Sequence, residues 1–464
     1  MRPLWSSAEI ESATAGTASA AFDVAGVTFD SREVGPGDLF VAMPGTVADG
    51  HDYVAGAFAA GACAALVSRP VDGPHVLVAD VPAALTALAI ESRRRMAGTV
   101  IGVTGSVGKT STKEALYAAL ERGARGRVHR SVKSYNNHTG VPLSLARMPR
   151  ECRFAVLEMG MSDSGEIAAL TRLVRPHVAV ITAIVSAHIE QLGTMEAIAD
   201  AKAEIFEGLE DEGVAIVPED SPYRDRLVKA ARNHAARTMT FGSGEADVCA
   251  VHAVRADSGG SLVTARLIES ELTFTIAQRG EHWVSNALAV LAAVEAVGAD
   301  VAVAGLALAD MGGLKGRGER HRVALGDAGH FLLIDESYNA NAASMAATLK
   351  ALGEEREVER RIAVLGPMRE LGEQSEAIHA GLAPSVIDAR IDQLILVGNE
   401  MNPLEEALAG AVPVLRADSV EAAASLLEGL VQAGDAVLVK ASNSIGLARL
   451  VERVAGDGAM GSTR

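Results

Sequence analysis

A glycine-rich turn that ends in Lys-Thr is the segment of this chain whose residue types best suit chemistry. Residues 101–110 read Ile-Gly-Val-Thr-Gly-Ser-Val-Gly-Lys-Thr, and a helix-favouring Ser-Thr-Lys-Glu-Ala-Leu follows. Gly105 and Gly108 allow backbone N–H groups to converge on phosphate oxygens. Lys109 would neutralise the terminal phosphates of a nucleotide, and Thr110 would ligate Mg²⁺. We interpret the turn as a variant phosphate loop, because the glycine usual five residues before Gly108 is a valine; the alternative is an ordinary strand-to-helix turn.

Two further polar residues are predicted at the carboxyl ends of strands in the same sheet. Glu158 ends an apolar run that begins at Phe154, and His188 follows the run 177–184. Ligands of open α/β sheets bind at such strand ends, and carboxylates and neutral imidazoles both coordinate metal ions. The alternatives are a helix-capping carboxylate for Glu158 and an ordinary loop histidine for His188.

Lys202 lies on an apolar stripe of a helix predicted to begin near Thr194. Burial disfavours the ammonium form of a lysine, and a neutral amine can capture CO₂ to give a carbamate, an anionic oxygen ligand for Mg²⁺. The alternative is that the side chain reaches solvent or pairs with Glu204 or Glu207.

Two strands near the carboxyl terminus also end in clustered polar residues. The first continues as Asp-Glu-Ser-Tyr-Asn-Ala-Asn over 335–341, and the second as Lys-Ala-Ser-Asn-Ser over 440–444. Both clusters are predicted to face a cleft between domains. The alternative for each is turn chemistry, in which Asp and Asn side chains only cap backbone groups.

The positions of the strands and helices predict an α/β protein of three domains. Short strands and alanine-rich helices fill 1–98, and apolar strands alternate with helices over 99–320, which indicates a central parallel sheet that carries the phosphate loop. Antiparallel strands are predicted at 248–255, 261–267 and 272–277. After a glycine-rich linker over 311–318, a second alternation over 321–464 predicts a doubly wound, Rossmann-like domain.

Composition excludes several classes of function. The 464 residues include 42 Lys and Arg against 59 Asp and Glu, a net charge of −17, and only 3% are aromatic. These values argue against a nucleic-acid partner. Three widely spaced cysteines, no signal-peptide pattern and no apolar run of membrane-spanning length predict a cytoplasmic protein without an integral membrane segment. We also expect a monomer.

Taken together, these motifs resemble the Mur ligase family, the ATP-dependent amide-forming enzymes of peptidoglycan precursor synthesis. The variant phosphate loop is also the form found in that family. The segments similar to its central domain are 104–114, 136–142 (Asn-Asn-His-Thr-Gly-Val-Pro), 158–160 (Glu-Met-Gly), 187–190 (Ala-His-Ile-Glu), 201–206 (Ala-Lys-Ala-Glu-Ile-Phe) and 286–288 (Asn-Ala-Leu).

Within the family, Tyr-Asn-Ala-Asn at 338–341 resembles the member that adds D-alanyl-D-alanine to UDP-N-acetylmuramoyl-tripeptide. The segments 30–32 (Asp-Ser-Arg), 36–41 and 49–51 are similar to a uridine-nucleotide domain that this member shares with the ligase adding the third peptide residue. That ligase is the nearest alternative. A folate polyglutamate ligase and a nucleotide-dependent binding protein without ligase chemistry are more distant ones. The chain departs from the family pattern at Ala342, at Pro367 and in Lys-Ala-Ser-Asn after the last strand.

The resemblance implies ATP and Mg²⁺ as cofactors and the following roles for individual residues. The implied catalytic residues are Lys109, Lys202 and His188. The implied metal ligands are Thr110, Glu158, His188 and carbamylated Lys202. The implied nucleotide contacts are Gly105, Ser106, Gly108, Lys109, Thr110, Asn286, Arg317 and Asp335, with Asn286 reading adenine. The implied substrate contacts are Asp30, Ser31, Arg32, Asn136, Asn137, Tyr338, Asn339 and Asn341.

Overall fold

Three successive units, each built around its own sheet, form the fold in a computed structural model of the chain. The model describes residues 3–45, 48–185, 189–256 and 259–456. The α/β class and the three-part architecture are therefore confirmed. The domain ranges 1–98, 99–320 and 321–464 stay a prediction, and the third sheet already begins at Glu319.

The first unit contains a five-stranded sheet in the order β2-β7-β6-β5-β4 and a separate β1–β3 pair. Its strands β4 to β7 are parallel, and β2 is antiparallel at one edge. One of the predicted alanine-rich helices begins at Val54. The elements are β1 (Trp5–Ser6), α1 (Ser7–Thr14), β2 (Thr17–Ala18), β3 (Asp23–Val24), β4 (Gly26–Thr28), β5 (Asp38–Val41), α2 (Val54–Ala60), β6 (Ala64–Val67), β7 (His75–Leu77) and α3 (Val81–Arg95), with 3₁₀ turns at Ser31–Glu33 and Gly50–Tyr53.

The central unit is a nine-stranded sheet whose parallel part includes the strand before the glycine-rich turn. Its strands are β8 (Thr99–Thr104), β9 (Val128–Arg130), β10 (Phe154–Glu158), β11 (Val178–Ile181), β12 (Val214–Pro218), β13 (Arg237–Gly242), β14 (Val248–Arg255), β15 (Ser261–Arg266) and β16 (Glu271–Ile276). Its helices are α4 (Lys109–Gly123), α5 (Gly140–Ala146), α6 (Glu166–Val174), α7 (Ile189–Leu192), α8 (Met195–Ala203), α9 (Arg224–Ala231), α10 (Glu281–Ala296) and α11 (Val301–Asp310), and a 3₁₀ turn covers Glu204–Gly208.

The strand order of the central sheet places β8 between β10 and β11. The chain leaves β8 toward β9 on one side and later crosses back to β11 on the other, so a crevice opens at the carboxyl end of β8. The strands β8, β10, β11 and β12 are mostly apolar and buried, as expected where helices cover both sides of a parallel sheet. The predicted antiparallel strands are present as β14, β15 and β16.

The third unit is a six-stranded sheet in the order β17-β18-β22-β19-β20-β21, parallel except for β17. The carboxyl ends of β18 and β22 lie side by side, because Glu336 is in register with Lys440. The elements are β17 (Glu319–Ala324), β18 (His330–Glu336), α12 (Ala342–Gly353), β19 (Arg361–Leu365), α13 (Ser375–Ala380), α14 (Ala383–Asp388), β20 (Gln393–Val397), α15 (Asn402–Leu408), β21 (Val414–Ala417), α16 (Val420–Leu430), β22 (Ala436–Lys440) and α17 (Ala448–Gly456), with 3₁₀ turns at Gly326–Ala328, Gly372–Gln374, Asn399–Met401 and Asn443–Ile445.

Specific polar contacts connect the three units. The Trp5 indole of the first unit donates to the Ala146 carbonyl of the central unit over 2.9 Å. Between the central and third units, Arg279 donates to the buried carboxylate of Glu355, at 2.5 Å between Nη1 and Oε2. Among the described residues, no helix is both long enough and apolar enough to cross a membrane.

The core of the third unit provides a stability test. Leu349 is fully buried on α12 and belongs to an apolar cluster with residues of β19 and β22. Leu349→Ala should lower the free energy of unfolding by about 2–5 kcal/mol through lost transfer energy and a residual cavity. Ile387→Ala, at a position where the side chain is 47% exposed, should change it much less. Urea unfolding followed by circular dichroism measures both, and equal effects would contradict the assigned core.

Candidate active site

The glycine-rich turn forms a cradle at the carboxyl end of β8. Gly105 and Gly108 adopt φ values of +147° and +83°, which residues with side chains rarely adopt, and Gly108 caps α4. The ammonium of Lys109 donates back to the Gly105 carbonyl over 2.7 Å and to the Ser106 carbonyl over 3.2 Å. Burial lowers the pKa of Lys109, the charge of Glu158 opposes this shift, and the charge of Arg317 adds to it. The turn thus has the glycine conformations and the position before a helix that a phosphate loop requires, and phosphate binding by these residues stays a prediction.

The cradle is tightly packed from behind. A Cβ atom added at Gly105 would lie 2.0 Å from Thr182 Oγ1, and one at Gly108 would lie 2.8 Å from Asn286 Oδ1. The Thr182 hydroxyl donates to the Val107 carbonyl over 2.5 Å, so it holds the turn in place. Asn286, on α10, therefore lies directly beside the turn, where the sequence analysis expects a nucleotide contact.

Glu158 is the carboxylate on which the polar groups around the cradle converge. It is 1% exposed. Its Oε2 accepts from the Thr110 hydroxyl over 2.9 Å, and its Oε1 accepts from Asn136 Nδ2 over 2.7 Å. The ammonium of Lys113 lies 3.7 Å from Oε2. A buried carboxylate beside a threonine hydroxyl offers the oxygen donors that Mg²⁺ prefers.

Lys202 is fully buried near the end of α8, and its ammonium nitrogen has no hydrogen-bond partner among the described residues. The 3₁₀ turn after α8 keeps Ile205 and Phe206 buried as well. Burial lowers the pKa of Lys202 well below its usual value, and the nearby charge of Lys109 lowers it further. The structure therefore places Lys202 in the interior rather than at the surface. His188, the other predicted metal ligand, lies outside the described residues.

A cavity separates the cradle from the third unit. Arg317 lies in its wall with the guanidinium 4.0 Å from the centre of the Tyr338 ring, and Asn339 lies nearby. Glu336 and Lys440, at the ends of β18 and β22, also line it. Lys440 Nζ donates to the Asn339 carbonyl over 2.8 Å and lies 3.5 Å from Glu336 Oε2. Burial lowers the pKa of Lys440. The cavity thus combines the phosphate cradle with cations from both units.

Asp335 is placed differently from the nucleotide contact that the resemblance implies. It is 2% exposed and is not among the residues that line the cavity. Its two carboxylate oxygens accept from the backbone N–H groups of Gly316, over 2.9 Å, and Ser337, over 3.0 Å. In this structure Asp335 therefore anchors the glycine-rich linker, while its neighbour Glu336 faces the cavity.

Two of the predicted substrate contacts cap helices. Asn341 lines the cavity, but its Oδ1 accepts from Ser344 N over 2.9 Å and completes a capping box at the start of α12. Asn137 Oδ1 accepts from Thr139 N and Gly140 N at the start of α5. The Asn341 contacts correspond to the turn-chemistry alternative stated for 335–341, and the substrate roles of both residues stay predictions.

The segment Asp30–Arg32 forms a compact turn in the first unit. The Asp30 carboxylate accepts from Arg32 Nε over 2.8 Å and from Nη2 over 2.7 Å, and this pairing lowers the pKa of Asp30 to about 2. Ser31 begins a short 3₁₀ turn that ends at Glu33, which contacts Lys133 of the central unit. The predicted uridine contacts therefore lie where the first two units meet.

Sequence reasoning missed Glu336 and Lys113 as site residues. Glu336 adjoins Asp335 on β18, and successive strand residues point to opposite faces, so only the packing of the sheet shows which carboxylate faces the cavity. Lys113 follows the cradle lysine by one helical turn. Its i, i+4 spacing from Lys109 is the signal that places it on the same face.

Three models of known protein domains together match most of the chain. The Mur ligase family catalytic domain matches residues 23–101, the Mur ligase middle domain matches 103–294, and the Mur ligase glutamate ligase domain matches 316–443. The chain is 36% identical to the UDP-N-acetylmuramoyl-tripeptide--D-alanyl-D-alanine ligase of Bacillus subtilis, with 92% of both chains covered. It is 34% identical to the Escherichia coli enzyme of that name, with 82% of this chain and 83% of the other covered.

The chain is also similar to solved structures over most of its length. A crystal structure of MurF from Acinetobacter baumannii has a TM-score of 0.82 at 29% identity and covers 97% of this chain and 99% of that one. MurF ligase from Thermotoga maritima, solved in complex with ADP, has a TM-score of 0.75 at 28% identity, over 93% and 97% of the two chains.

The cradle geometry leads to a direct binding test. Gly105→Ala should weaken ADP binding at least tenfold, because the added methyl group would collide with Thr182 at a backbone conformation suited to glycine. Gly56→Ala, in a helix position with open space around it, should leave binding unchanged. Isothermal titration calorimetry measures both, and an unchanged affinity of the Gly105 variant would contradict the assignment of the cradle.

Proposed function

This chain belongs to the Mur ligase family, and we propose that it is an ATP-dependent ligase that joins D-alanyl-D-alanine to UDP-N-acetylmuramoyl-tripeptide. The proposal is carried by the relative from Bacillus subtilis, which bears that activity in its name and is similar over nearly the whole chain. The cradle, which faces a cavity between two units, supports a reaction in which substrates meet at a domain interface.

The described residues fit a nucleotide and a metal ion. The glycines of the cradle leave no room for side chains. The Lys109 ammonium donates to the Gly105 carbonyl, and a bound phosphate would replace that carbonyl as the acceptor. We propose that Gly105, Ser106, Gly108 and Lys109 hold the ATP phosphates, with Asn286, Arg317 and Glu336 around the rest of the nucleotide. Thr110 and Glu158 would hold Mg²⁺, which when bound neutralises charge on phosphoryl oxygens.

The reaction must activate a carboxylate, which is a poor acyl donor. A carboxylate oxygen of the tripeptide attacks the γ-phosphorus of ATP, the bond from that phosphorus to the β–γ bridging oxygen breaks, and an acyl phosphate and ADP result. The amine of D-alanyl-D-alanine then attacks the acyl carbon, loses a proton, and expels phosphate with the electron pair of the C–O bond. Lys109 stabilises the charge on the phosphoryl oxygens during transfer, and closure of the cavity excludes water from the acyl phosphate.

Lys202 fits the predicted carbamate. A buried ammonium without a hydrogen-bond partner among the described residues is costly, so the neutral amine is favoured. The neutral nitrogen bonds to the carbon of CO₂ and releases one proton, which leaves an anionic oxygen donor. That donor would complete the metal site together with Glu158 and, by the family resemblance, His188.

The remaining substrate contacts follow from position. We propose that Asp30, Ser31 and Arg32 hold the uridine end at the junction of the first two units. Asn136 orients Glu158, Asn339 lines the cavity, and the Tyr338 ring packs against Arg317 in the cavity wall. We further propose a monomer that works in the cytoplasm, for which the acidic net charge and the three free cysteines of the chain are the support.

The activity is tested by phosphate release with ATP, Mg²⁺, UDP-N-acetylmuramoyl-tripeptide and D-alanyl-D-alanine, each omitted in turn, and by the mass of the product. We expect release only with all four components, a pentapeptide product, and loss of turnover in Lys109→Ala. Activity with UDP-N-acetylmuramoyl-dipeptide and a diamino acid instead would move the assignment to the preceding ligase. ATP binding without phosphate release would indicate a binding protein.

The carbamate leads to a rescue experiment. Lys202→Ala should lose most turnover, because the anionic oxygen donor is gone, and short carboxylic acids should restore part of it by occupying the space. The same acids should not restore Lys109→Ala, since that variant lacks a cation. Full activity of Lys202→Ala without any added acid would disprove the carbamate.

A further inference from the structure

Lys113 is a fully buried lysine on α4 that contacts the backbone of Lys133 and the carboxylates of Glu114 and Glu158. Its Nζ donates to the Lys133 carbonyl over 2.6 Å. The same atom lies 3.1 Å from Glu114 Oε1 and 3.7 Å from Glu158 Oε2. An ammonium has three donors, so a single charge connects a backbone carbonyl to two carboxylates. Nothing in the proposed mechanism uses this residue directly.

The carbonyl that Lys113 holds belongs to a residue in an unfavourable conformation. Lys133 has φ +52°, in the left-handed region that residues other than glycine seldom adopt. Such a conformation persists only where surrounding contacts impose it. The charge-assisted hydrogen bond from Lys113 is one of those contacts, and it acts on the backbone rather than on a flexible side chain.

Residues 131–137 connect β9 to α5 and contact both sides of the site; we name them the junction segment. Toward the cradle, Asn136 donates to Glu158 over 2.7 Å, and Ser131 Oγ accepts from the Glu158 backbone N–H over 3.0 Å. Toward the first unit, the Lys133 ammonium binds the Glu33 carboxylate, and the Tyr135 hydroxyl lies 3.4 Å from Glu33 Oε1.

Glu33 directly follows Asp30, Ser31 and Arg32, for which we propose contact with the uridine end. The charge of Lys133 also contributes to the lowered pKa of Asp30. A shift of the junction segment would therefore move the contacts of Glu158, beside the phosphate cradle, and those of Glu33, in the turn of the first unit.

We propose that Lys113 is a positioning residue that fixes the junction segment and thereby couples the geometry of Glu158 to the contact between the first two units. This inference rests on the proposed function, because it assigns the first unit to the uridine substrate. Lys113 itself touches neither substrate nor reacting atoms. Its effect passes through the Lys133 carbonyl on one side and through Glu158 on the other.

The test replaces Lys113 with methionine, which retains much of the side-chain length and removes the charge and the donors. Two quantities are measured: the Kd for UDP-N-acetylmuramoyl-tripeptide by calorimetry without ATP or Mg²⁺, and the Mg²⁺ concentration that gives half-maximal phosphate release. We expect both to rise at least fivefold. A role limited to stability would lower the thermal midpoint and leave both quantities unchanged in the folded protein.

Two control variants test the effects of the individual contacts separately. Lys133→Gly keeps the carbonyl, suits the positive φ and removes the Glu33 ion pair, so it should raise the Kd for the uridine substrate and leave the Mg²⁺ requirement unchanged. Lys229→Met makes the same replacement as the test variant at an exposed position of α9 and should change neither quantity.

The outcomes distinguish this inference from the proposed function. Absence of uridine-substrate binding by the unaltered protein would count against the proposed function. Normal binding by that protein, together with a Lys113→Met variant in which either quantity stays unchanged, would overturn the positioning role. Lys113→Gln, which keeps an amide donor and loses the charge, is used with the same criterion if the methionine variant does not fold.

Discussion

Buried positive charge is the constraint on which this site depends. Lys113 and Lys202 are fully buried, Lys109 lies in the cradle, and the buried carboxylate of Glu158 lies 3.7 Å from the Lys113 ammonium. A desolvated cation without a partner is costly, and Lys202 Nζ has no hydrogen-bond partner among the described residues, so its neutral amine is favoured. A nucleotide polyphosphate in the cradle and a carbamate on Lys202 would each supply negative charge. Both proposed groups are anionic, as a site rich in buried lysines favours.

The fold brings these charged residues to the carboxyl ends of strands in two sheets, on either side of the cavity. In the central unit, β8, β10 and the loop after β11 supply the cradle, Glu158 and Thr182 at neighbouring strand ends. In the third unit, β18 and β22 present Glu336 and Lys440 in register. Asp335 anchors the glycine-rich linker between these surfaces, so one strand both fixes the joint and supplies a cavity residue.

The fold and the cradle could be predicted from the sequence because their determinants are local. The turn before α4 follows from glycine positions, whereas the apolar stripe around Lys202 left both burial and solvent exposure open, and the structure shows burial. Which of Asp335 and Glu336 faces the cavity could not be predicted, because the two residues are neighbours on β18 and only the packing of the sheet decides which face is turned toward the cavity. The Asn341 side chain suits both a substrate contact and a helix cap, and sequence alone left that choice open. Lys113 finds its carbonyl partner twenty residues away, a contact that no periodicity reveals.

The central claim is that the γ-phosphoryl group passes to the substrate carboxylate before the amide forms. The most direct measurement uses UDP-N-acetylmuramoyl-tripeptide labelled with ¹⁸O in the reacting carboxylate and follows the mass of the phosphate released on coupling to D-alanyl-D-alanine. We expect one ¹⁸O atom in each phosphate, because that oxygen leaves with the phosphoryl group when the amine attacks. Amide product formed together with unlabelled phosphate would contradict it.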